Sequence, residues 1–287
     1  MPDNSEHGSK IVQHSKPLEL LPGVLKSETI DTSSIGIWVD PIDGTNVYIS
    51  PEAENEPSNR SADSNETMAL ASLDCVTVLI GVFDKKTGIP IMGVVDRPFG
   101  NSLTTECSNA RTLWAYSGLT TSNSNLPQAT TNAVFKILTS SSDRNHDIFR
   151  KIEERNISDS KCVRILTPSG AGYKLTCLAC GLAGIYFCPK SNVYQWDTCG
   201  PHVLLTVFGG GIVPFQWFMN NLSAIIDGTT GFGDCNNSAA EKLVQKNQIR
   251  YCAKESETDM AKFVHSEGIV AYRTMTDLIE FARMITL

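Results

Sequence analysis

Three things that the sequence lacks narrow the classes of protein it can encode. Its 287 residues contain no apolar run of the ~18–20 residues that a membrane helix needs, since Pro22 interrupts the first apolar segment, Leu18–Leu25. No basic segment followed by an apolar one opens the chain, so the pattern of a secretory signal is missing. Acidic residues outnumber basic ones, 31 to 24, and the net charge of -7 argues against nucleic-acid phosphates as the main partner. A small anionic ligand stays compatible with this charge, because a metal ion can supply the positive charge.

The cysteines form no regular framework. There are nine of them, an odd number scattered along the chain, which predicts reduced thiols and a cytoplasmic protein. Cys177 and Cys180 form a C-x-x-C pair, but no second pair stands at zinc-finger spacing. Because the segment Lys174–Gly181 has the pattern of a helix interior, we interpret both cysteines as small buried residues rather than metal or redox ligands.

The first part of the chain has the pattern of an antiparallel sheet. Its strand-like segments are Ile35–Val39, Cys75–Phe83, Ile89–Val95 and Arg111–Ser117. Asp40-Pro41 is expected to end the first strand, and the turn residues 84–88 predict a hairpin between the second and third. The polar segment Thr120–Thr131 predicts a domain boundary, with an α+β domain over residues 1–125 and an α/β domain over residues 126–287.

Beyond that boundary, strand and helix patterns alternate, which predicts an α/β fold. The predicted strands are Val134–Leu138, Val163–Leu166, Gly184–Cys188 and Gly268–Tyr272. The predicted helices are Asp143–Arg155, Gly170–Gly181, Asp197–Phe208 and Thr276–Ile285, the third of which ends at three consecutive glycines. The segment Asn220–Glu267 shows little periodicity and is interpreted as a long, partly ordered excursion.

The densest group of chemically capable residues is Trp38-Val39-Asp40-Pro41-Ile42-Asp43-Gly44-Thr45. Asp40 and Asp43 can converge on one point across the proline turn, and such hard oxygen ligands suit Mg²⁺. If a helix begins at Thr45, the amides of Gly44 and Thr45 face an anion, and the helix dipole favours it. An ordinary Asx turn that caps a helix would use the same residue types, so both interpretations stay open.

A second group, Trp196-Asp197-Thr198-Cys199-Gly200-Pro201-His202, lies where another helix is predicted to begin. An aspartate at this position is most often an N-cap, which is the ordinary interpretation of Asp197. His202 falls in the second turn of that helix, where a packed and hydrogen-bonded core histidine is commoner than a ligand or a base.

Taken together, the two groups resemble the signatures of the Mg²⁺-dependent, lithium-sensitive inositol phosphatases. Trp38–Thr45 is similar to the first signature and Trp196–Gly211 (WDTCGPHVLLTVFGGG) to the second. Three further segments are similar to the members that act on inositol polyphosphates, namely Cys75–Val95, Gly170–Lys174 and Gly209–Val213. The resemblance covers roughly residues 18–215 and resumes at Gly268–Tyr272.

The resemblance implies a layered αβαβα sandwich and a phosphatase reaction linked to phosphatidylinositol signalling. The implied reaction removes the 1-phosphate of a small inositol polyphosphate such as inositol 1,4-bisphosphate. Water attacks the phosphorus in line while Mg²⁺ neutralises charge, and no covalent phosphoenzyme is needed. Two alternatives stay open: a 3′(2′),5′-bisphosphate nucleotidase, which shares both signatures, and a non-catalytic protein that binds inositol phosphates.

The resemblance also implies roles for single residues. Asp40, Asp43, Asp197 and the carbonyl of Ile42 would bind the metal, and Thr45 and Asp43 would take part in catalysis, with Thr45 orienting the attacking water. The implied substrate-binding positions are Asp43, Gly44, Thr45, Ser142, Arg144, Gly170, Ala171 and Lys174. Arg144 stands where the family pattern has a lysine, which keeps the charge but changes its geometry. Without the resemblance, Lys174 would be interpreted as a solvated lysine.

One part of the family pattern is missing. The family has an aspartate and then a Glu-Glu pair well upstream of the first signature, and these residues bind a metal and help to activate water. The residues before Asp40 contain no Glu-Glu pair, and Glu19, Glu28 and Asp31 do not match its position. The resemblance therefore implies that the N-terminal part of the fold is absent and that the chain as given is nearly inactive.

Overall fold

The computed structural model describes residues 30–50, 68–100, 111–117, 122–124, 126, 134–158, 162–228, 239–252 and 260–286. Leu18–Leu25, Glu19 and Glu28 lie outside the described residues. The chain divides into two units, Met1–Ser34 and Ile35–Leu287. The described part of the first unit holds a 3₁₀ turn, Thr32–Ser34, in which the Asp31 carboxylate accepts hydrogen bonds from the amide and hydroxyl of Ser33. All the strands and helices described below belong to the second unit.

The first sheet of this unit has five antiparallel strands in chain order. They are β1 (Ile35–Asp43), β2 (Thr77–Asp84), β3 (Pro90–Asp96), β4 (Thr112–Ser117) and β5 (Ser122–Ser124). The predicted hairpin is confirmed, and its turn is held by the Asp84 carboxylate, which accepts hydrogen bonds from the amide and hydroxyl of Thr87. β5 lies within the predicted boundary segment, and the division at residue 125 stays a prediction.

Strand β1 runs past the point where the sequence predicts its end. It was expected to stop at Asp40-Pro41 but continues to Asp43. Among the described residues β1 lies at the edge of the sheet, so Pro41 costs no hydrogen bond to a further described strand. The register against β2 shifts between Asp40, opposite Leu79, and Asp43, opposite Thr77. Three steps on β1 thus match two on β2, and such a bulge brings Asp40 and Asp43 to the same face, which a regular strand would not do.

The second sheet is mixed, and its strands follow the order β7-β6-β8-β10-β9. The strands are β6 (Phe135–Leu138), β7 (Val163–Leu166), β8 (Ile185–Cys188), β9 (Gly211–Pro214) and β10 (Ile269–Tyr272). β6 is parallel to β7 and β8, whereas β10 is antiparallel to β8 and β9. The helices are α1 (Thr45–Ile49), α2 (Asp147–Ser158), α3 (Ala171–Ala179), α4 (Gln195–Thr206), α5 (Phe215–Asn220), α6 (Leu222–Asp227), α7 (Ala239–Lys246) and α8 (Met275–Thr286).

Apolar side chains bury both faces of the second sheet. Along β8, Tyr186 and Cys188 join one core, which includes residues of β2, α3 and α4, while Ile185 and Phe187 join a second core with α2 and α8. This alternation places α3 and α4 between the two sheets and α2 and α8 on the far side of the second sheet. The described layers are therefore sheet, helices, sheet and helices, and the predicted α/β class is confirmed.

The two faces of the first sheet differ in burial. Leu79, Phe83 and Val95 on the inner face are fully buried against the helices. On the outer face, Ile37 is 57% exposed and Val39 50% exposed, although apolar side chains of this size are most often buried.

The interpretation of Asn220–Glu267 as a partly ordered excursion is wrong for its described residues. They form α6, α7 and a 3₁₀ turn, Met260–Phe263, and Ile225 and Val244 are fully buried in the second core. These helices have six and eight residues, too short for a periodic pattern to be recognised in the sequence. None of the helices in the described part of the chain has the length and apolar character needed to cross a membrane.

Candidate active site

Three carboxylates from distant parts of the chain meet at one point. Asp40 and Asp43 come from β1, and Asp197 comes from the first turn of α4. One oxygen from each lies within 4.8 Å of the others. Helix α4 begins two residues earlier than predicted, so Asp197 is not the N-cap. Its Oδ2 instead accepts a hydrogen bond of 2.7 Å from the amide of Tyr194, which holds the carboxylate toward Asp43 and Asp40.

Asp43 is held by the N-terminus of α3, far away in sequence. Its Oδ2 accepts hydrogen bonds from the amide of Gly172 at 2.8 Å and the hydroxyl of Thr77 at 3.1 Å, and its Oδ1 accepts one from the amide of Ala171 at 3.3 Å. The first amides of a helix have no partner within the helix, so a carboxylate is favourable there. Gly170, with φ +74°, passes so close that an added Cβ would lie 2.8 Å from Asp43 Oδ2. Position 170 therefore requires glycine both for its backbone conformation and for space.

The electrostatics of this cluster favour a bound cation. Burial raises the pKa of the Asp43 carboxyl, the charge of Asp40 raises it further, and Lys174 lowers it. Burial and the charge of Asp43 likewise raise the pKa of Asp197. Three carboxylates at this distance repel one another when ionised, and a divalent cation would relieve that repulsion. A compact set of hard oxygen donors fits Mg²⁺.

Lys174 is buried rather than solvated, so its interpretation from residue types alone is wrong. Only 4% of the residue is exposed, and its Nζ donates a hydrogen bond of 3.1 Å to the carbonyl of Gly170. The same Nζ lies 5.4 Å from the centre of the Tyr186 ring. Burial lowers the pKa of Lys174, and the charge of Asp43 opposes this effect. The ammonium therefore belongs to the immediate surroundings of the carboxylates.

Ser142 lies on a 3₁₀ turn, Ser141–Asp143, that follows β6, and Arg144 is the next residue. The Tyr186 ring, on β8, contacts Lys174, and the thiol of Cys188 on the same strand lies 3.8 Å from Asp143 Oδ2. Strand β8 thus links the turn to the part of the site that Lys174 occupies. The Arg144 guanidinium forms an ion pair with Glu153 of α2.

The remaining predicted positions lie at the end of β1 and the start of α1. Gly44 has φ +81° and precedes α1, and its carbonyl accepts hydrogen bonds from the amides of Val47 and Tyr48. Thr45 is exposed, and Ile42 is 39% exposed. The predicted roles of Gly44, Thr45 and the Ile42 carbonyl stay predictions.

His202 and the C-x-x-C pair lie in the core, as expected. The His202 ring is buried and hydrogen-bonded to the Tyr251 hydroxyl at 3.0 Å and to Gln248 Oε1. Burial lowers the pKa of His202 to about 4. Cys177 lies within α3 and Cys180 follows it, and both are buried and outside any disulfide.

Sequence reasoning missed several residues that shape the site. Thr77, Gly172 and Tyr186 hold Asp43 or contact Lys174, and Lys190 pairs with Asp143 on the Ser141–Asp143 turn. The only local sign that the backbone at position 172 comes close to Asp43 is that this residue is itself a glycine. Nothing in the neighbours of Lys190 sets it apart from a surface lysine.

The comparisons with known proteins agree with the resemblance. The profile of the Inositol monophosphatase family matches residues 6–222. The inositol polyphosphate 1-phosphatase of Mus musculus is 36% identical over 88% of this chain and 62% of that protein. The 3'(2'),5'-bisphosphate nucleotidase 1 of Rattus norvegicus is 28% identical over 71% of this chain and 58% of that protein. The chain thus spans about three fifths of the length of the curated relatives it matches.

A solved structure of an inositol monophosphatase from Zymomonas mobilis is also similar. It matches with a TM-score of 0.48 at 10% identity, over 90% of this chain and 72% of that chain.

Proposed function

Because this chain belongs to the inositol monophosphatase family, we propose that it is a metal-dependent phosphomonoesterase acting on a small inositol polyphosphate. The bond cleaved is the 1-phosphate ester, and inositol 1,4-bisphosphate is the substrate that we expect it to prefer. The similarity to the inositol polyphosphate 1-phosphatase of Mus musculus supports this substrate class.

The observation that carries the proposal is the meeting of Asp40, Asp43 and Asp197 beside the buried ammonium of Lys174. The carboxylates supply hard oxygen ligands for Mg²⁺, and the ammonium supplies positive charge for a phosphate that is not cleaved. An ordinary surface cluster of acids would be solvated, whereas Asp43 and Asp197 are 9% and 7% exposed.

In this proposal each residue has a separate task. Asp40, Asp43, Asp197 and the Ile42 carbonyl hold Mg²⁺, which when bound neutralises charge on the phosphate oxygens. Gly44 and Thr45 position the scissile phosphate, and the Thr45 hydroxyl orients the water that attacks in line. The positions proposed to contact the inositol ring and its second phosphate are Ser142, Arg144, Gly170, Ala171 and Lys174.

Two other functions are compatible with the same residues. The similarity to the nucleotidase of Rattus norvegicus supports a 3′(2′),5′-bisphosphate nucleotidase as the second candidate. A third is a non-catalytic protein that keeps the binding residues, which deserves a direct test because the chain spans about three fifths of its relatives.

The test measures turnover and binding separately on the purified chain. Phosphate release is followed with inositol 1,4-bisphosphate, inositol 1-phosphate and adenosine 3′,5′-bisphosphate in millimolar Mg²⁺, with and without Li⁺. Calorimetry then measures the binding of inositol 4-phosphate, the expected product. Because the residues before Asp40 contain no Glu-Glu pair, we expect slow turnover of the chain as given. The hydrolysis that remains should favour inositol 1,4-bisphosphate, be inhibited by Li⁺ and be abolished by chelation of the metal.

Each alternative has its own result. A higher kcat/KM for the adenosine bisphosphate would assign the chain to the nucleotidases. Tight binding of inositol phosphates without release of phosphate would identify a non-catalytic binder. Absence of both turnover and binding would refute the proposal. We also propose a cytoplasmic location, because the nine cysteines of the sequence are odd in number and form no regular framework.

A further inference from the structure

Lys190, in the connection between β8 and α4, is not an ordinary surface lysine. Its Nζ donates a hydrogen bond of 2.6 Å to the carbonyl of Ser142 and lies 2.9 Å from Asp143 Oδ1. The Asp143 side chain is completely buried, whereas the Lys190 side chain is 56% exposed. The ammonium is therefore fixed on the Ser141–Asp143 turn with one side open to solvent.

The two cations at this turn differ in what accompanies them. Arg144 is paired with Glu153, whose side chain is 50% exposed, so a phosphate that approaches Arg144 also meets an exposed carboxylate. Lys190 is paired with Asp143, whose side chain solvent does not reach, so a phosphate at Lys190 contacts the ammonium rather than the carboxylate, although the Asp143 charge weakens the attraction. An ammonium has three N–H donors, and the turn uses two of those of Lys190. The third donor is available to a ligand.

The position of Lys190 relative to the carboxylates follows from a short series of contacts. Lys174, beside Asp43, lies over the ring of Tyr186. Two residues further along β8 and on the same face, the Cys188 thiol lies 3.8 Å from Asp143 Oδ2. The other oxygen of this carboxylate, Oδ1, pairs with Lys190, so a continuous series of contacts runs from Asp43 through Lys174, β8 and Asp143 to Lys190.

We propose that Lys190 is a specificity-determining residue that binds the phosphate of the substrate that is not cleaved. The proposal rests on the function proposed above and adds a residue that the family signatures do not include. Through this contact, the chain prefers substrates with a second phosphate over monophosphates. A contact between the ammonium and a phosphate is charge-assisted, so its loss should weaken binding by about tenfold, which corresponds to about 1.4 kcal/mol.

The first test is Lys190→Met, with Lys151→Met on the exposed surface of α2 as the matched control. We expect Lys190→Met to raise KM for inositol 1,4-bisphosphate and Kd for inositol 4-phosphate by about tenfold. It should leave kcat and the KM for inositol 1-phosphate unchanged. Lys151→Met should change none of these values, and Lys190→Arg should retain most of the preference.

A second variant separates a contact with the substrate from support of the turn. Lys190→Met alone leaves the Asp143 carboxyl buried without its partner, which could distort the turn. The double variant Asp143→Asn/Lys190→Met removes that charge as well. If Lys190 contacts the phosphate, the double variant keeps the raised Kd for inositol 4-phosphate.

Three results would overturn the inference. Recovery of wild-type affinity in the double variant would show that Lys190 only supports the turn. Equal effects of Lys190→Met on the mono- and bisphosphate would show that it does not distinguish them, and the proposed function would still stand. A chain that neither binds nor hydrolyses any of these compounds would overturn both the inference and the proposed function.

Discussion

The candidate site has an acidic end, with Asp40, Asp43 and Asp197, and a basic end, with Arg144 and Lys190. The two ends are held in place by different kinds of contact. At the acidic end, Asp43 accepts hydrogen bonds from two backbone amides of α3, and Asp197 accepts one from the amide of Tyr194. At the basic end, Arg144 forms an ion pair with Glu153, and Lys190 forms one with Asp143 besides a hydrogen bond to the carbonyl of Ser142. Backbone donors cannot be moved without moving a helix, whereas an ion pair can be changed by one substitution. The position of the acidic side chains is therefore fixed by the fold, whereas single substitutions can change the contacts of the basic side chains.

The largest effect should come from Asp43→Asn, which tests the acidic end directly. An amide is a much weaker ligand for Mg²⁺ than a carboxylate, so we expect kcat to fall by a factor of a thousand or so, about 4 kcal/mol. The fold should persist, because the amide oxygen can still accept from Gly172 and Thr77, and the NH₂ group that replaces the other oxygen gives up only the longer bond from Ala171. Measurements are kcat, calorimetric titration with Mg²⁺ and the far-UV circular dichroism spectrum. Asp147→Asn, on the exposed surface of α2, is the control, and more than about a tenth of wild-type kcat in Asp43→Asn would exclude the ligand role.

Gly170→Ala should have the next largest effect, because it combines backbone strain with a steric conflict. Both Gly170 and Gly209 have φ +74°, but an added Cβ at Gly209 meets nothing within 4 Å. Each substitution should therefore cost about 1–3 kcal/mol of stability from strain. Only Gly170→Ala should also displace Asp43 and weaken Mg²⁺ binding, by about tenfold or more. Urea unfolding and metal titration of both variants measure the two effects, and equal Mg²⁺ affinity would refute the contact.

Lys174→Ala should have an intermediate effect that distinguishes two substrates. Lys174 is expected to meet a phosphate that is not cleaved, so its removal should raise KM for inositol 1,4-bisphosphate by about tenfold. The KM for inositol 1-phosphate should rise less. Steady-state kinetics measure KM for both substrates in Lys174→Ala, and Lys151→Ala is the control. An equal rise for both would remove the assignment and leave Lys174 as a neighbour of Asp43 that supports the acidic end.

The smallest effect should come from Glu153→Gln at the basic end. The Arg144–Glu153 pair is partly exposed, and pairs of this kind contribute about 0.2–1 kcal/mol. Removal of the negative charge should therefore lower KM for a bisphosphate slightly, by less than about fivefold, and should leave stability unchanged within about 1 kcal/mol. Kinetics at low and physiological ionic strength measure this change. A raised KM would mean that Glu153 holds Arg144 in its binding position.

Prediction from the sequence succeeded where a pattern is local and failed where a contact is distant. The hairpin of β2 and β3 and the alternating strands and helices of the second sheet follow from short-range patterns, and the structure confirms them. The two short helices within Asn220–Glu267 were missed because six to eight residues contain too few turns to show a period. The extension of β1 past Pro41 was missed because only the sheet shows that this strand lies at an edge.

The same division holds within the candidate site. The residue types of Trp38–Thr45 are enough to predict a cluster of hard oxygen ligands, because two aspartates flank a single turn. By contrast, the residue type of Lys174 indicates a solvated lysine. It is buried only because α3 packs between the two sheets. No pattern around Lys190 predicts that its ammonium pairs with the buried Asp143.

By itself, the sequence determined the fold class, the two aspartates beside Pro41 and the place of Asp197 near a helix start. These features depend on residues that are neighbours in the chain, so their spacing predicts them. The tertiary structure alone decided that a bulge turns Asp40 and Asp43 to one face, that α3 holds Asp43 and that Lys190 lies on the Ser141–Asp143 turn. Each of these depends on segments far apart in sequence, and their contacts arise only when the two sheets pack around the same helices.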